Sequence, residues 1–262
     1  MLGGTGPATR VEDVFQRSPL RILFPRTFSG EPQEAVLINT AGGIAGGDRL
    51  ECAVTARDNA SIAVSSQTAE RVYRALNEPA HVMTKLQAHD GSRLAWLPQE
   101  TIIFNRARLR RRTEVEVSSG AEILALEWFV LGRAAHGETV LEGQIRDSWQ
   151  VRKDGRLVWA DTFRATEETF PHLRRRALLS GHAATATLIY SGPDLDRRLE
   201  VVRELVAVLG CTGAATLLGG LIIVRLADAL ALKLRLALRG LLEAFGRELG
   251  PGPVRVPRMW SS

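Results

Sequence analysis

Leu37-Ile38-Asn39-Thr40-Ala41-Gly42-Gly43-Ile44-Ala45-Gly46-Gly47-Asp48-Arg49-Leu50 runs from an apolar stretch through two Gly pairs and out through an Asp-Arg pair. Four glycines in six positions are not regular structure. Glycine takes positive φ without steric cost and lets another backbone or a ligand come close, so the segment reads as a tight, shaped loop joining two strands. Such a segment is most often a strand, a turn and a strand with a solvated ion pair. Its spacing fits neither GxGxxG nor GxxxxGK, and no Lys is present to reach a phosphate, which makes a nucleotide cradle a weak reading. A β-domain that binds a sugar or nucleotide through the Gly42 to Asp48 loop stays open as the alternative.

Working outward, short alternating stretches lie on both sides of this loop. Leu20, Ile22 and Phe24 alternate, as do Leu50, Cys52, Val54 and Ala56, and Ile62 with Val64 makes a further strand. Val82, Thr84 and Leu86 lead through His89-Asp90-Gly91-Ser92 to Leu94 and Trp96. Val115 and Val117 lead through Ser118-Ser119-Gly120 to Ile123 and Ala125. Trp149 and Val151 lead through Lys153-Asp154-Gly155 to Leu157 and Trp159. Each of the three reads as a hairpin, because Gly-containing turns support the geometry that hairpins favour. Strands recur in this way over some 190 residues at the roughly 8 to 12-residue spacing of a sandwich or barrel.

The C-terminal part changes character. Leu195, Leu199, Val202, Val206 and Leu209 recur at helical spacing, which predicts a helix over 194–209. A second helix is predicted over 228–249. Leu230 to Leu238 alternate like a strand there, but no β-branched residue occurs from Ala227 to Gly250, and strong helix formers fill the segment. Leu205 to Val224 is twenty residues without a charge, the length of a membrane span, yet Gly210, Gly213, Gly219 and Gly220 interrupt it. It reads instead as the end of a helix, a Gly-rich turn and a buried strand from Leu221 to Leu226. From Gly250 onward, Pro251, Pro253 and Pro257 predict an irregular tail. The expected fold class is mainly β: a large antiparallel strand-rich single domain of stacked sheets spanning 1–262, with two α-helices in its C-terminal part.

Composition narrows the function. The 262 residues are 45% hydrophobic, and 34 basic against 29 acidic residues give +5, a balance carried by Arg because Lys85, Lys153 and Lys233 are the only lysines. This suits contact with acidic partners. Arg106, Arg108, Arg110, Arg111 and Arg112 crowd one segment, where strand alternation would put Arg106, Arg108 and Arg110 on one face. No aromatic residue interleaves with them, which argues against nucleic acid. Cys52 and Cys211 stand far apart, the five histidines show no ligand spacing, and nothing resembles GxSxG, so zinc and hydrolase chemistry are poor readings. The first residues lack the layout of a signal peptide, so the expected location is the cytoplasm. Asp48, Glu70, Glu100, Glu127 and Glu138 each sit at a strand end or beside a Gly-containing turn. Carboxylates hold a borderline divalent ion more loosely than thiolates or imidazoles do.

Five ordered segments carry a resemblance. Asn39 to Asp48, Gln67 to Arg74, Leu97 to Thr101, Arg108 to Arg112 and Leu131 to Glu138 closely resemble, in order and spacing, motifs of the urease accessory protein UreD family, called UreH in some organisms. Pro257-Arg258-Met259-Trp260 is similar to the family's C-terminal ending, and the match runs from about Thr9 to Trp260. Only about ten Gly-rich residues precede the segment from Val11 to Pro25, where the family carries an additional strand, so either that strand is absent and one sheet edge is incomplete, or the start is placed too late. The resemblance implies a non-enzymatic maturation factor, a scaffold or chaperone that forms a dimeric assembly with UreF, reaches the GTPase UreG through it, and docks on urease apoprotein. It implies no tightly bound cofactor, nickel(II) in transit through an internal tunnel, and neither nucleic acid nor membrane as a partner. Carried over by position, Asp48, Glu70, Glu100 and Glu138 become candidates for the nickel route. Gly42, Gly43, Gly46, Gly47, Arg49, Gly132, Arg133 and Gly137 become its structural motif.

Overall fold

The computed structural model describes residues 2–3, 9–27, 32–133, 136–248 and 256–260. In chain order the strands are β1 (Leu2–Gly3), β2 (Arg10–Val11), β3 (Leu20–Leu23), β4 (Gln33–Asn39), β5 (Arg49–Ala56), β6 (Ser61–Ser66), β7 (Glu70–Val72), β8 (Ala80–Ala88) and β9 (Arg93–Trp96). They continue as β10 (Thr101–Ile103), β11 (Arg108–Val117), β12 (Glu122–Leu131), β13 (Gln144–Lys153), β14 (Arg156–Ala165), β15 (Ala184–Ser191), β16 (Thr212–Leu218) and β17 (Leu221–Asp228). Helix α1 (Leu195–Val208) precedes β16, and α2 (Ala231–Glu248) follows β17.

The molecule is mainly β, with stacked sheets and two C-terminal helices as expected, but the strands do not run as expected. A seven-stranded sheet has the order β14-β13-β11-β8-β5-β1-β2. A ten-stranded sheet has the order β16-β17-β15-β12-β9-β6-β4-β3, with β7 and β10 joined at its side. In the centre of both sheets the neighbours are parallel: β5, β8, β11 and β13 in one, and β4, β6, β9 and β12 in the other. Antiparallel pairs lie towards the ends of the sheets.

Two of the three expected hairpins are therefore corrected. The turns at Asp90-Gly91 and Ser119-Gly120 carry the chain from one sheet to the other, so β8 and β9, and likewise β11 and β12, stack face to face rather than pair. These turns pile on one another: the Gly91 N–H donates to Gly120 O at 3.0 Å, and the Gly120 N–H to Asp90 Oδ1 at 3.1 Å. A side chain at Gly91, where φ is +75°, would collide with Asn59 Oδ1 of the turn below. The third hairpin, β13 with β14, forms as read.

Burial explains the layering. The seven-stranded sheet alternates, as in β11, where Leu109, Val115 and Val117 face inward. The ten-stranded sheet is covered on both faces, so Ile123 to Val130 of β12 are all buried. Apart from Glu127 the run is apolar, as in strands with no wet face. One face of β12 packs on the other sheet through Ile123, Ala125 and Phe129. Its other face packs on α1 and α2 through Leu124, Leu126 and Trp128.

The charge-free segment from Leu205 ends α1 and then forms β16, a strand where a Gly-rich turn was expected. Gly213 makes this possible, since a Cβ there would lie 2.3 Å from Leu226 of the paired strand. Among the described residues no helix is long and apolar enough to cross a membrane. The N-terminal sheet edge carries β1, antiparallel to β2 and parallel to β5. The irregular tail falls outside the described residues as far as position 255, and Arg258–Trp260 beyond it form a 3-10 turn.

Candidate functional site

Four of the five motifs meet at one end of the ten-stranded sheet. Ile44, in the glycine loop, bridges Val72 of β7, with its N–H on Arg71 O at 2.7 Å and its carbonyl accepting from the Tyr73 N–H at 2.9 Å. The Tyr73 hydroxyl donates to Gly42 O at 2.9 Å. Gly43 leaves the space that the Tyr73 ring occupies, since a Cβ would lie 2.4 Å from it, and one on Gly46 would meet Ala75 at 2.7 Å. At Gly43 and Gly46 the space is thus filled by the chain itself, whereas Gly42 has open space around it. Asp48 serves the same turn: its Oδ2 accepts from the Ala45 N–H at 2.8 Å. Arg49 begins β5 and is exposed.

Next to the loop, β7 pairs with β10, and β10 with the end of β12. The Tyr73 ring meets Phe104 edge-on at 5.3 Å, and the Arg133 guanidinium lies 4.2 Å from the Phe104 centroid. Arg133 Nε donates to Glu138 Oε2 at 2.8 Å, and these hydrogen bonds hold the Glu138 carboxyl below the usual range. Gly132 (φ +81°) has the Glu138 carbonyl where a Cβ would go, at 2.6 Å, whereas Gly137 has open space around it. Ala134 and Ala135, inside that motif, lie outside the described residues.

Glu100 belongs to a different surface. It accepts from Arg235 of α2 at 3.2 Å, in a loop pinned by the C-terminal ending. The Trp260 indole donates to Leu97 O at 2.9 Å and stacks on Trp128, whose own N–H donates to Pro98 O at 3.1 Å. Gln99 Nε2 donates to Met259 O at 2.7 Å.

Glu70 alone of the four expected carboxylates faces the space between the sheets. Asn39 Nδ2 donates to both its oxygens, at 3.1 and 3.0 Å, and the Arg71 N–H to one at 3.2 Å. Burial nevertheless pushes its carboxyl up, against those hydrogen bonds. It lines a cavity of about 90 Å³ together with Cys52, Gln99, Thr101, Arg111 and Glu127. Burial, with Glu127 nearby, pushes the Cys52 thiol up to about 12, so it stays protonated and is a poor ligand.

The fourth motif supplies the wall of this cavity, in a way alternation alone did not anticipate. Arg106 sits in a turn and pairs with Glu142, while Arg108, Arg110 and Arg112 face outward. Arg111 points inward and is only 5% exposed. Its Nε and Nη2 donate to the two Asp147 oxygens at 2.9 and 2.7 Å, and its Nη1 to Glu127 Oε2 at 2.7 Å and Thr101 Oγ1 at 3.0 Å. The Trp96 indole donates to the other Glu127 oxygen at 2.9 Å. Burial would lower the Arg111 guanidinium, but the attraction of Asp147 and Glu127 outweighs it, while burial pushes Glu127 up despite Arg111. Asp147 was not singled out in the sequence. The available sign was phase: Arg111 shares the inward phase of Leu109, Val115 and Val117. Among the described residues no group of three or more His, Cys, Asp or Glu is placed to hold a metal ion.

Comparison with known proteins matches residues 2–261 to the family described as UreD urease accessory protein. Curated proteins named "Urease accessory protein UreD" are similar along nearly the whole chain. The Methylobacterium sp. (strain 4-46) protein is 38% identical, over 98% of this chain and 90% of its own length. The Rhizobium etli protein is 41% identical (97% and 90%), and that of Xanthobacter autotrophicus 40% identical (98% and 86%).

Proposed function

The chain belongs to the UreD family of urease accessory proteins, and from that premise we propose that it is a non-catalytic scaffold passing nickel(II) between its two sheets towards the urease active site. It does so in the cytoplasm, docked on urease apoprotein, in a dimeric assembly with UreF and through UreF with the GTPase UreG. The observation that carries the reading is a cavity between two apolar clusters, itself mostly apolar, with Glu70, Gln99, Thr101, Arg111 and Glu127 on its wall. One cluster holds Val54, Leu86, Trp96 and Ile123, the other Ile44, Leu50, Leu109 and Phe129. At about 90 Å³ the cavity has room for several water molecules.

The donors around it suit an ion in transit. Glu70 supplies one carboxylate already engaged by Asn39, and Gln99 supplies an amide oxygen with no partner among the described residues. Scattered oxygen donors bind a borderline cation loosely and release it. Asp48 and Glu138 act in this reading by fixing the two loops at the end of the sheet, and Glu100 by fixing the Leu97 to Thr101 loop on α2.

Nickel per urease active site, measured with Glu70→Gln in place of the parent, tests the route. The variant keeps the parent's thermal midpoint and its binding to UreF and urease, and delivers less nickel. Because burial raises the Glu70 carboxyl and the ion needs it ionised, delivery by the parent is lost on acidification at a higher pH than an unshifted carboxyl would give. Full loading by a folded Glu70→Gln chain removes Glu70 from the route.

A further inference from the structure

The outer face of the seven-stranded sheet carries a row of cations in strand-to-strand register. Arg49 of β5 stands beside His81 of β8, His81 beside Arg110 of β11, Arg110 beside Arg146 of β13, and Arg146 beside Arg164 of β14. The four arginines are exposed and His81 is half-buried. None of the five makes a side-chain hydrogen bond or ion pair among the described residues. The acids of the neighbouring rows are engaged elsewhere: Glu51 with Lys85 at 2.7 Å, and Glu114 with Arg112. Like charges placed directly opposite on neighbouring strands destabilise a sheet. The row therefore costs the isolated chain stability, and a partner that neutralises it would recover that cost.

Strands in a sheet lie about 4.8 Å apart, so the five positions form a nearly straight line about 19 Å long. Carboxylates at i, i+3 and i+4 of a helix repeat about every 5–6 Å along one face, close to this pitch. Alternate residues of an extended strand repeat about every 6.6 Å and drift out of step. Arg49, His81, Arg110, Arg112 and Arg146 also line a shallow groove of about 620 Å³ on this face. No outward-facing aromatic stands among them to stack a base; Trp149, which borders the groove, points inward and is 3% exposed.

We propose that this face is a docking surface for a protein partner presenting an acidic helix laid across the strands, its carboxylates seated on Arg49, Arg110, Arg146 and Arg164. The inference rests on charge and spacing alone and stands apart from the nickel route.

Fluorescence anisotropy of the full chain with a labelled helical peptide, bearing Glu at every third or fourth position on one face, tests it. The peptide binds, and binding weakens at least about tenfold in Arg110→Glu/Arg146→Glu and falls as salt rises. Arg203→Glu/Arg247→Glu, the same change in net charge on helices α1 and α2, which cover the far face of the ten-stranded sheet, keeps the parent's affinity. If the first pair alters the far-ultraviolet circular dichroism, Arg110→Gln/Arg146→Gln replaces it. Absence of binding, equal weakening by both pairs, equal affinity for a peptide with its glutamates spread around the helix, or tighter binding of duplex RNA each overturns the proposal.

Discussion

Arg111 is one cation between two carboxylates, with Asp147 and Glu127 held at 2.7 Å and all three side chains buried. Buried ion pairs add little net stability when complete, but removing one member leaves uncompensated charge in a poorly solvating interior. Arg111→Met therefore destabilises the chain by about 3–5 kcal/mol, read as a lower urea midpoint at unchanged slope. Adding Asp147→Asn to that variant restores part of the loss. An unchanged midpoint in Arg111→Met would mean that water reaches the cluster. Such a residue is hard to read from sequence because its four arginine neighbours suggest a solvated stripe, and only the phase it shares with Leu109 and Val115 separates it from them. Glu70 was legible as a candidate and Asp147 was not, because Glu70 follows a motif and a polar strand end while Asp147 lies within an ordinary alternating strand.

At the scale of elements, α2 gives the clearest contrast. Leu234, Leu238, Leu241, Leu242 and Phe245 are buried against the ten-stranded sheet, whereas Leu232 and Leu236 are 67% and 59% exposed. Leu238→Ala costs about 2–5 kcal/mol by opening a cavity. Leu232→Ser/Leu236→Ser leaves the unfolding free energy within about 0.5 kcal/mol of the parent and reduces self-association in sedimentation, because only exposed apolar surface is lost. A parent that is already monomeric at high concentration contradicts the second expectation. The helix itself was legible from its lack of β-branched residues, which outweighed a leucine alternation resembling a strand. Strand direction was not legible. Asp-Gly and Ser-Gly set the same local turn whether the next strand pairs with the previous one or crosses to the opposite sheet, so Asp90-Gly91 and Ser119-Gly120 looked like hairpins. The distinguishing sign was non-local: the run from Ile123 to Val130, apolar but for Glu127, needs cover on both faces, which a two-layer sandwich of hairpins does not provide.

For the whole molecule, the three layers divide the work. The helices cover one face of the ten-stranded sheet, the seven-stranded sheet covers the other and turns its charged face outward, and the cavity with Glu70 and Arg111 on its wall lies between the sheets. The five motifs, dispersed over a hundred residues, resolve into one end of the fold and the wall of that cavity, with the C-terminal Trp260 locking the Leu97 to Thr101 loop. The most direct measurement is nickel per active site in urease produced with its other accessory proteins, in the presence and absence of this chain. Loading is expected to collapse when the chain is left out and to return when it is supplied. Full loading without it would contradict the account.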